Sequence, residues 1–282
     1  IAQEYNDCKD CIKCYVMFEY QTSFAAFQSS HQPRIIKTKE GKDLLSFIPF
    51  SPYESWSQTV LLKGNTTIPD DNTIIIVGMS KMGTAMAIET AHLAHFPNFV
   101  RDNSKRTKIT FIDKNAREES DFFIGRFPDM FKLCKWTDVD GKEHNKYVPT
   151  CDEYKYFGRN FLDIEWEFRD GGVESKENRE YITSCFNEDS KEIVTIAICL
   201  PWPHQSLAAA LYLPKVAIHK ANDIWVYQPQ SGKLLIDINK KIEDSEPTPI
   251  WKQTTYRKLK PFGMRSLGFD ANLLENDAIG YC

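Results

Sequence analysis

Apolar residues are most concentrated at residues 73–83, TIIIVGMSKMG, where Ile74, Ile75, Ile76 and Val77 form an unbroken β-branched run. A strand without a polar face suits the middle of a parallel sheet, covered on both sides. Gly78 follows at once. Residues 81–95 then read as a helix, with Met82, Ala85, Met86 and Leu93 near one face and no proline before Pro97. Further strands are predicted at 108–113 (KITFID), 161–168 (FLDIEWEF), 192–200 (EIVTIAICL), 223–228 (DIWVYQ) and 254–261, with a turn and short strand at 230–235. Helical patterns occupy 117–133, interrupted near Pro128, then 175–186 and 204–216. This alternation predicts an α/β fold, a Rossmann-like doubly wound parallel sheet. The loops after Val77, Asp113, Phe168 and Leu200 would then meet at one carboxyl edge.

The remaining segments are less regular. Residues 2–28 carry Tyr5, Tyr15, Phe18, Tyr20, Phe24 and Phe27 and predict a helical arm, packed on the main domain or on a partner subunit. Residues 31–42, with Pro33 and Gly41, read as a loop or hairpin. A short helix is expected over 52–62, capped by Ser51 or Ser55. WTDVDGKEHNKYV predicts a hairpin turning at Asp140 and Gly141, an insertion on the sheet edge. Its D-x-D-G lacks the spacing of a calcium loop. Three segments follow: a helical arm and linker over 1–69, the main domain over 70–270 with an insertion at 134–160, and a tail or linker over 271–282.

At 282 residues the chain has room for one large α/β domain or two small ones. Apolar and charged fractions of 42% and 26% supply an ordinary globular core. A net charge of −4 without a dominant basic block argues against a nucleic-acid partner. The short basic clusters at 101–108 and 256–260 read as solvated loops. Residues 193–214 form a charge-free window long enough to span a bilayer, but Pro201, Pro203 and His204 in its middle favour strand, loop and helix. The start at Ile1 suggests processing or excision. Cys8, Cys11 and Cys14 form C-x-x-C-x-x-C without the fourth ligand and proline of an iron–sulfur run. Zinc would need a further ligand such as His31. The same spacing places three thiols on one side of a helix. Reduced, cytosolic thiols are the expectation.

The candidate chemistry lies in the central motif. Gly78-Met79-Ser80-Lys81-Met82-Gly83 follows G-x-G-x-x-G with Ser80 in place of the central glycine. Backbone N–H groups at a helix start hold a pyrophosphate, because the dipole and the unpaired donors both favour an anion. Lys81 adds a cation. The acid that would meet a ribose is Asp113, thirty residues past Gly83, where about twenty is usual. The charged stretch 101–108 accounts for the excess. A strand–helix unit that has lost its ligand has the same pattern. His204 is the candidate proton donor for a dehydrogenase, and a residue in the first turn of a helix on the plainer reading. His92, His95 and His219 suit solvated or core positions, and His31 and His144 suit loops. No P-loop, HExxH or Ser/His/Asp set occurs.

GMSKMGTAMAIETAHL, KITFIDKNA and TIAICLPWPHQSLAAALYLP together resemble the nucleotide-binding domains of potassium-transport regulators, namely the Trk regulatory subunit N-terminal (TrkA-N) domain and RCK domains. SPYESWSQTVLLKG before the strand and YRKLKPFGM after the last one narrow the likeness, which spans residues 47–268. They point to a bacterial subgroup in which the domain follows a membrane-embedded, ion-channel-like part. A ryanodine-receptor-type repeat can follow it. The resemblance implies NAD as ligand, with NADH or another adenine nucleotide as alternatives. Gly78, Ser80 and Gly83 would line the phosphates, with Met79, Lys81 and Met82 closing the turn. Asp113, with Lys114 beside it, would meet the ribose hydroxyls, which favours NAD over NADP. Leu200 and Pro201 would border the nicotinamide side. A homodimer is implied, acting as the cytosolic sensor of an ion-transport protein whose channel part lies outside this chain. An NAD-dependent oxidoreductase and a scaffold without ligand are the competing readings.

Overall fold

The computed structural model describes residues 11–20, 23–24, 26–27, 30, 35–63, 72–96, 99, 102, 105–145, 163–187, 193–229 and 258–263. The chain divides into two units, residues 1–56 with 269–282, and residues 57–268. In the smaller unit, β1 (Ile12–Met17), β2 (Ile35–Lys37) and β3 (Asp43–Phe50) form a sheet of order β1-β3-β2. β1 runs parallel to β3 and β2 antiparallel. The helical arm expected over 2–28 is therefore corrected across Ile12–Met17. Burial there alternates, with Cys14, Val16 and Phe18 more covered than Tyr15 and Met17, and period two with β-branched residues favours a strand. Helical backbone occurs at Ser23, Phe24, Ala26 and Phe27, where Phe18 packs on Phe24 and Phe27. Cys14 lies in β1 and Cys11 just ahead of it, so the helical side expected for the thiols does not form there; Cys8 lies outside the described residues. The expected hairpin appears as β2, a turn with Gly41 at φ +84°, and β3.

Helix α1 (Pro52–Lys63) crosses the division between the units. The larger unit thus begins ahead of residue 70, where the sequence draws the boundary, and buried Gln58 donates to the buried Glu89 carboxylate at 3.1 Å.

The larger unit continues with β4 (Asn72–Val77), α2 (Lys81–Leu93), β5 (Thr107–Asp113), α3 (Ala116–Arg126), α4 (Pro128–Leu133), β6 (Lys135–Thr137) and β7 (Glu143–His144). Then come β8 (Ile164–Asp170), α5 (Lys176–Ser184), β9 (Ile193–Ile198), α6 (Pro203–Tyr212), α7 (Lys215–Lys220), β10 (Ile224–Tyr227) and β11 (Leu259–Phe262). The sheet order is β11-β10-β9-β4-β5-β8-β6-β7, and every described pairing is parallel except β6 with β7. From β8 to β11 this is the 3-2-1-4-5-6 arrangement of doubly wound dinucleotide folds, with β4 as its first strand. The chain is thus a Rossmann-like α/β protein with a small hairpin at one sheet edge. Two proline breaks shape the helices. Pro128 starts α4 at its first position, and Pro214 separates α6 from α7, dividing the single helix expected over 204–216. The strand expected over 254–261 is described as β11; residues 230–235 lie outside the described residues. Among the described residues no helix is long and apolar enough to cross a membrane.

Each face of the sheet has its own filling. On one, Phe111, Trp166 and Phe168 stack under Phe123 and Phe131 of α3 and α4. On the other, Ile75, Val77, Ile196, Ile198 and Val226 pack with Ile182, Ala209, Ala210 and Ile218 of α5 to α7. The IEWEFRD alternation of β8 also turns Glu167 and Arg169 toward α5. There Glu167 accepts from Lys108 at 2.6 Å and from Arg169 at 2.7 Å, and Arg169 lies 4.1 Å from the Tyr181 ring centroid. Tyr181 exchanges a 2.8 Å hydrogen bond with Thr110, and burial pushes its phenol pKa far up, so the ring stays neutral.

Burial alone would raise the Glu167 pKa, but the charge and hydrogen bond of Lys108, with Arg169, hold it below the usual range. A depressed carboxylate contributes stability above its unfolded pKa and loses it as pH falls through the folded value. Glu167→Gln is predicted to lose about 2 kcal/mol at pH 7 in urea melts. The gap from wild type should close below about pH 4. A gap that persists unchanged at pH 3 would rule out the ion-pair account.

Candidate functional site

The parallel strands bring the ends of β4, β5, β8, β9 and β10 to one edge, and the order reverses between β4 and β9. At that reversal the chain leaves β4 through Gly78, whose φ of +100° suits a residue without Cβ. A Cβ on Gly78 would sit 3.0 Å from both the Cys199 carbonyl and Leu200 Cδ2. Helix α2 begins three residues later, so close that a Cβ on Gly83 would lie 1.9 Å from the Gly78 carbonyl oxygen. The two glycines therefore have the roles the motif assigns them, a tight turn and a close helix–strand approach.

Ser80 explains its own presence. Its hydroxyl accepts the Gly83 N–H at 3.3 Å as the N-cap of α2 and donates to the Cys199 carbonyl across the reversal. The proton of that hydroxyl is thus used within the protein, and what Ser80 adds to an anion site is backbone. The first turn of α2 contains no acid and starts with exposed Lys81. Its leading N–H groups lack intrahelical acceptors. Met82 is 1% exposed and packs its side chain into the core, so only its backbone belongs to the turn.

Asp113 stands at the end of β5 as expected. One carboxylate oxygen accepts the Met79 N–H at 2.7 Å and the other the Asn115 N–H at 2.8 Å. It therefore ties the turn after β4 to the turn after β5, using half of the roughly four lone-pair positions a carboxylate has. Lys114 is drawn to Glu174 of the loop after β8, with Nζ 2.7 Å from Oε1, which raises the lysine pKa and lowers that of the acid. Arg117 forks onto Asp140 at the hairpin tip with contacts of 2.6 and 3.0 Å. Glu118 and Glu119 complete an acid-rich side, and Glu119 is raised by burial and then by the charges of Asp113 and Glu118. Asn178, 1% exposed, donates to the carbonyls of Asp170 and Gly172 and fixes the loop after β8.

On the β9 side, Leu200 is half-buried against Gly78 while Pro201 and Trp202 are exposed. His204 is exposed in the first turn of α6, the position a helix-start residue takes. His95 binds Asp163 at 2.5 Å, and His144 binds Asp138 at 2.7 Å beside the Trp136 ring, both as structural contacts. Sequence reasoning passed over Asn178, which reads as an ordinary helix residue. It also passed over Trp202, whose flanking prolines were the available signal. The corner brings together a left-handed glycine, a glycine with no room for Cβ, and a helix whose first turn contains no acid. No family model, curated protein or solved structure matches the chain.

Gly83→Ala is predicted to cost about 3 kcal/mol by overpacking, and Ser80→Ala about 1 kcal/mol by loss of the cap. Urea unfolding measures both. A Gly83→Ala protein as stable as wild type would contradict the seating of α2 on the Gly78 carbonyl.

Proposed function

We propose that the carboxyl edge binds a dinucleotide, NAD in the first instance, and that the chain is a regulatory ligand-binding module. The observation that carries this reading is the Gly78–Gly83 contact at the start of α2, a helix whose first turn contains no acid and whose dipole favours an anion there. Gly78, Ser80 and Gly83 would line the phosphates, with the backbone N–H groups of Ser80 and Met82 as donors and Lys81 as the nearby cation, since the N–H groups of Gly78, Met79 and Gly83 serve Ile112, Asp113 and Ser80. Asp113 would accept the ribose hydroxyls with its remaining lone pairs. A 2′-phosphate there would meet Asp113, Glu118 and Glu119, while Lys114 and Arg117 already serve Glu174 and Asp140. That charge balance supports NAD over NADP.

The resemblance to TrkA-N and RCK domains extends the proposal. NAD binding would bias two arrangements of a homodimer through its differential affinity for them, and so act on an ion-transport part outside this chain, potassium being the ion handled by those regulators. An oxidoreductase would need a proton donor at the nicotinamide, and exposed His204 is the histidine nearest in sequence to that side.

Thermal melts and calorimetry with NAD, NADH, NADP, ATP and ADP test the reading. A ligand at about 100 times its Kd stabilises by about 2.7 kcal/mol. For a chain of this size that is a shift of roughly 5–10 °C. NAD is expected to give that shift and NADP a smaller one. Asp113→Ala should narrow the NAD-to-NADP affinity ratio about tenfold, near 1.4 kcal/mol. Absence of binding by every nucleotide tested would leave the scaffold reading in its place.

A further inference from the structure

We infer that Trp202 is the stacking platform for the second ring of the dinucleotide, the nicotinamide, an inference that rests on the nucleotide reading above. Trp202 is 61% exposed, although a tryptophan has some of the largest apolar area to gain by burial. It is separate from the other exposed apolar residues of α6. Leu211 and Tyr212, 50% and 60% exposed, end that helix, about 15 Å along at roughly 1.5 Å per residue. Trp202 stands instead at the carboxyl edge, in the loop that follows β9.

The loop presents this ring on a fixed backbone. Pro201 and Pro203 restrict the chain on either side, and Trp202 has the extended φ −107°, ψ 127° that a residue before proline adopts. Its carbonyl accepts the N–H groups of Gln205 at 3.0 Å and Ser206 at 3.1 Å. The Ser206 hydroxyl holds the Leu200 carbonyl at 3.2 Å, and Gln228 holds the Pro203 carbonyl at 2.7 Å. Every carbonyl from Leu200 to Pro203 except that of Pro201 is thereby engaged, so the exposed indole sits on a preorganised support.

Its place relative to the phosphate corner selects the ligand part. Leu200, two residues earlier, packs on Gly78, and Cys199, one before that, receives the Ser80 hydroxyl. Trp202 therefore flanks the corner on the β9 side, and Asp113 flanks it on the β5 side. A dinucleotide crossing the corner puts one nucleoside on each side. The adenosine ribose meets Asp113, and the nicotinamide ring meets the indole. Oxidised nicotinamide is a cationic pyridinium and the reduced ring is neutral. An electron-rich indole face attracts the cation more strongly, so Trp202 biases the site toward the oxidised form.

Calorimetry of wild type, Trp202→Ala and Trp202→Phe with NAD, NADH and ADP-ribose separates the possibilities. Trp202→Ala should weaken NAD about tenfold and NADH about threefold, and leave ADP-ribose, which lacks the ring, within about twofold. Trp202→Phe should keep most of the NAD affinity, while the quenching of tryptophan emission by bound NAD is lost. Equal weakening of ADP-ribose and NAD, or unchanged NAD affinity in Trp202→Ala, overturns the stacking role and leaves the nucleotide reading intact. So does wild-type protein that binds ADP-ribose as tightly as NAD. Wild type that binds none of the three overturns both.

Discussion

Helix α2 rests on the carbonyl of Gly78 with no space between them for a methyl group, and the rest of the edge depends on that contact. Because Gly83 has no side chain, the first turn of α2 comes down onto the end of β4. Because it comes down there, the Ser80 hydroxyl reaches both Gly83 and Cys199, and the Met79 N–H reaches Asp113. Three strand ends are tied by these bonds within six residues of chain. A bulkier residue at Gly83 would lift the helix and break the cap and the cross-strand ties together.

The two faces of the sheet illustrate how one strand serves two environments. β8 sends Trp166 and Phe168 into an aromatic layer and Glu167 and Arg169 into a half-buried ionic cluster with Lys108. Such a cluster is weak evidence for stability, since desolvation offsets much of the attraction. It is a strong constraint on register, however, because a one-residue slip would bury the charges under α3 and turn the rings toward α5. The ionic side faces α5, whose Asn178 in turn sets the loop beside Asp113. Packing beneath the edge and geometry at the edge are thus linked through one helix.

Charge is unevenly spread along the same edge. Acids gather past β5, an acid-free helix start lies at β4, and an aromatic with fixed backbone lies past β9. Surfaces suited to hydroxyls, to an anion and to a planar ring therefore follow one another across the ends of β5, β4 and β9. That sequence of surfaces, more than any single residue, supports a dinucleotide over a smaller anion.

The primary sequence determined the strand–glycine–helix core, the order of strands and helices, the break at Pro128 and the edge hairpin. Each depends on local periodicity or on a residue with restricted backbone. It misled at Ile12–Met17, where aromatic richness suggested a helix and pairing with β3 decided for a strand. It also merged α6 with α7 although Pro214 stands between them. Tertiary structure alone decided that the Ser80 hydroxyl turns to Cys199, that Asp113 already holds two backbone N–H groups, and that Trp202 remains in solvent. The Asp113–Met79 and Ser80–Cys199 bonds join groups 34 and 119 residues apart in the chain, and a local pattern carries no information about which distant carbonyl or N–H a side chain will meet.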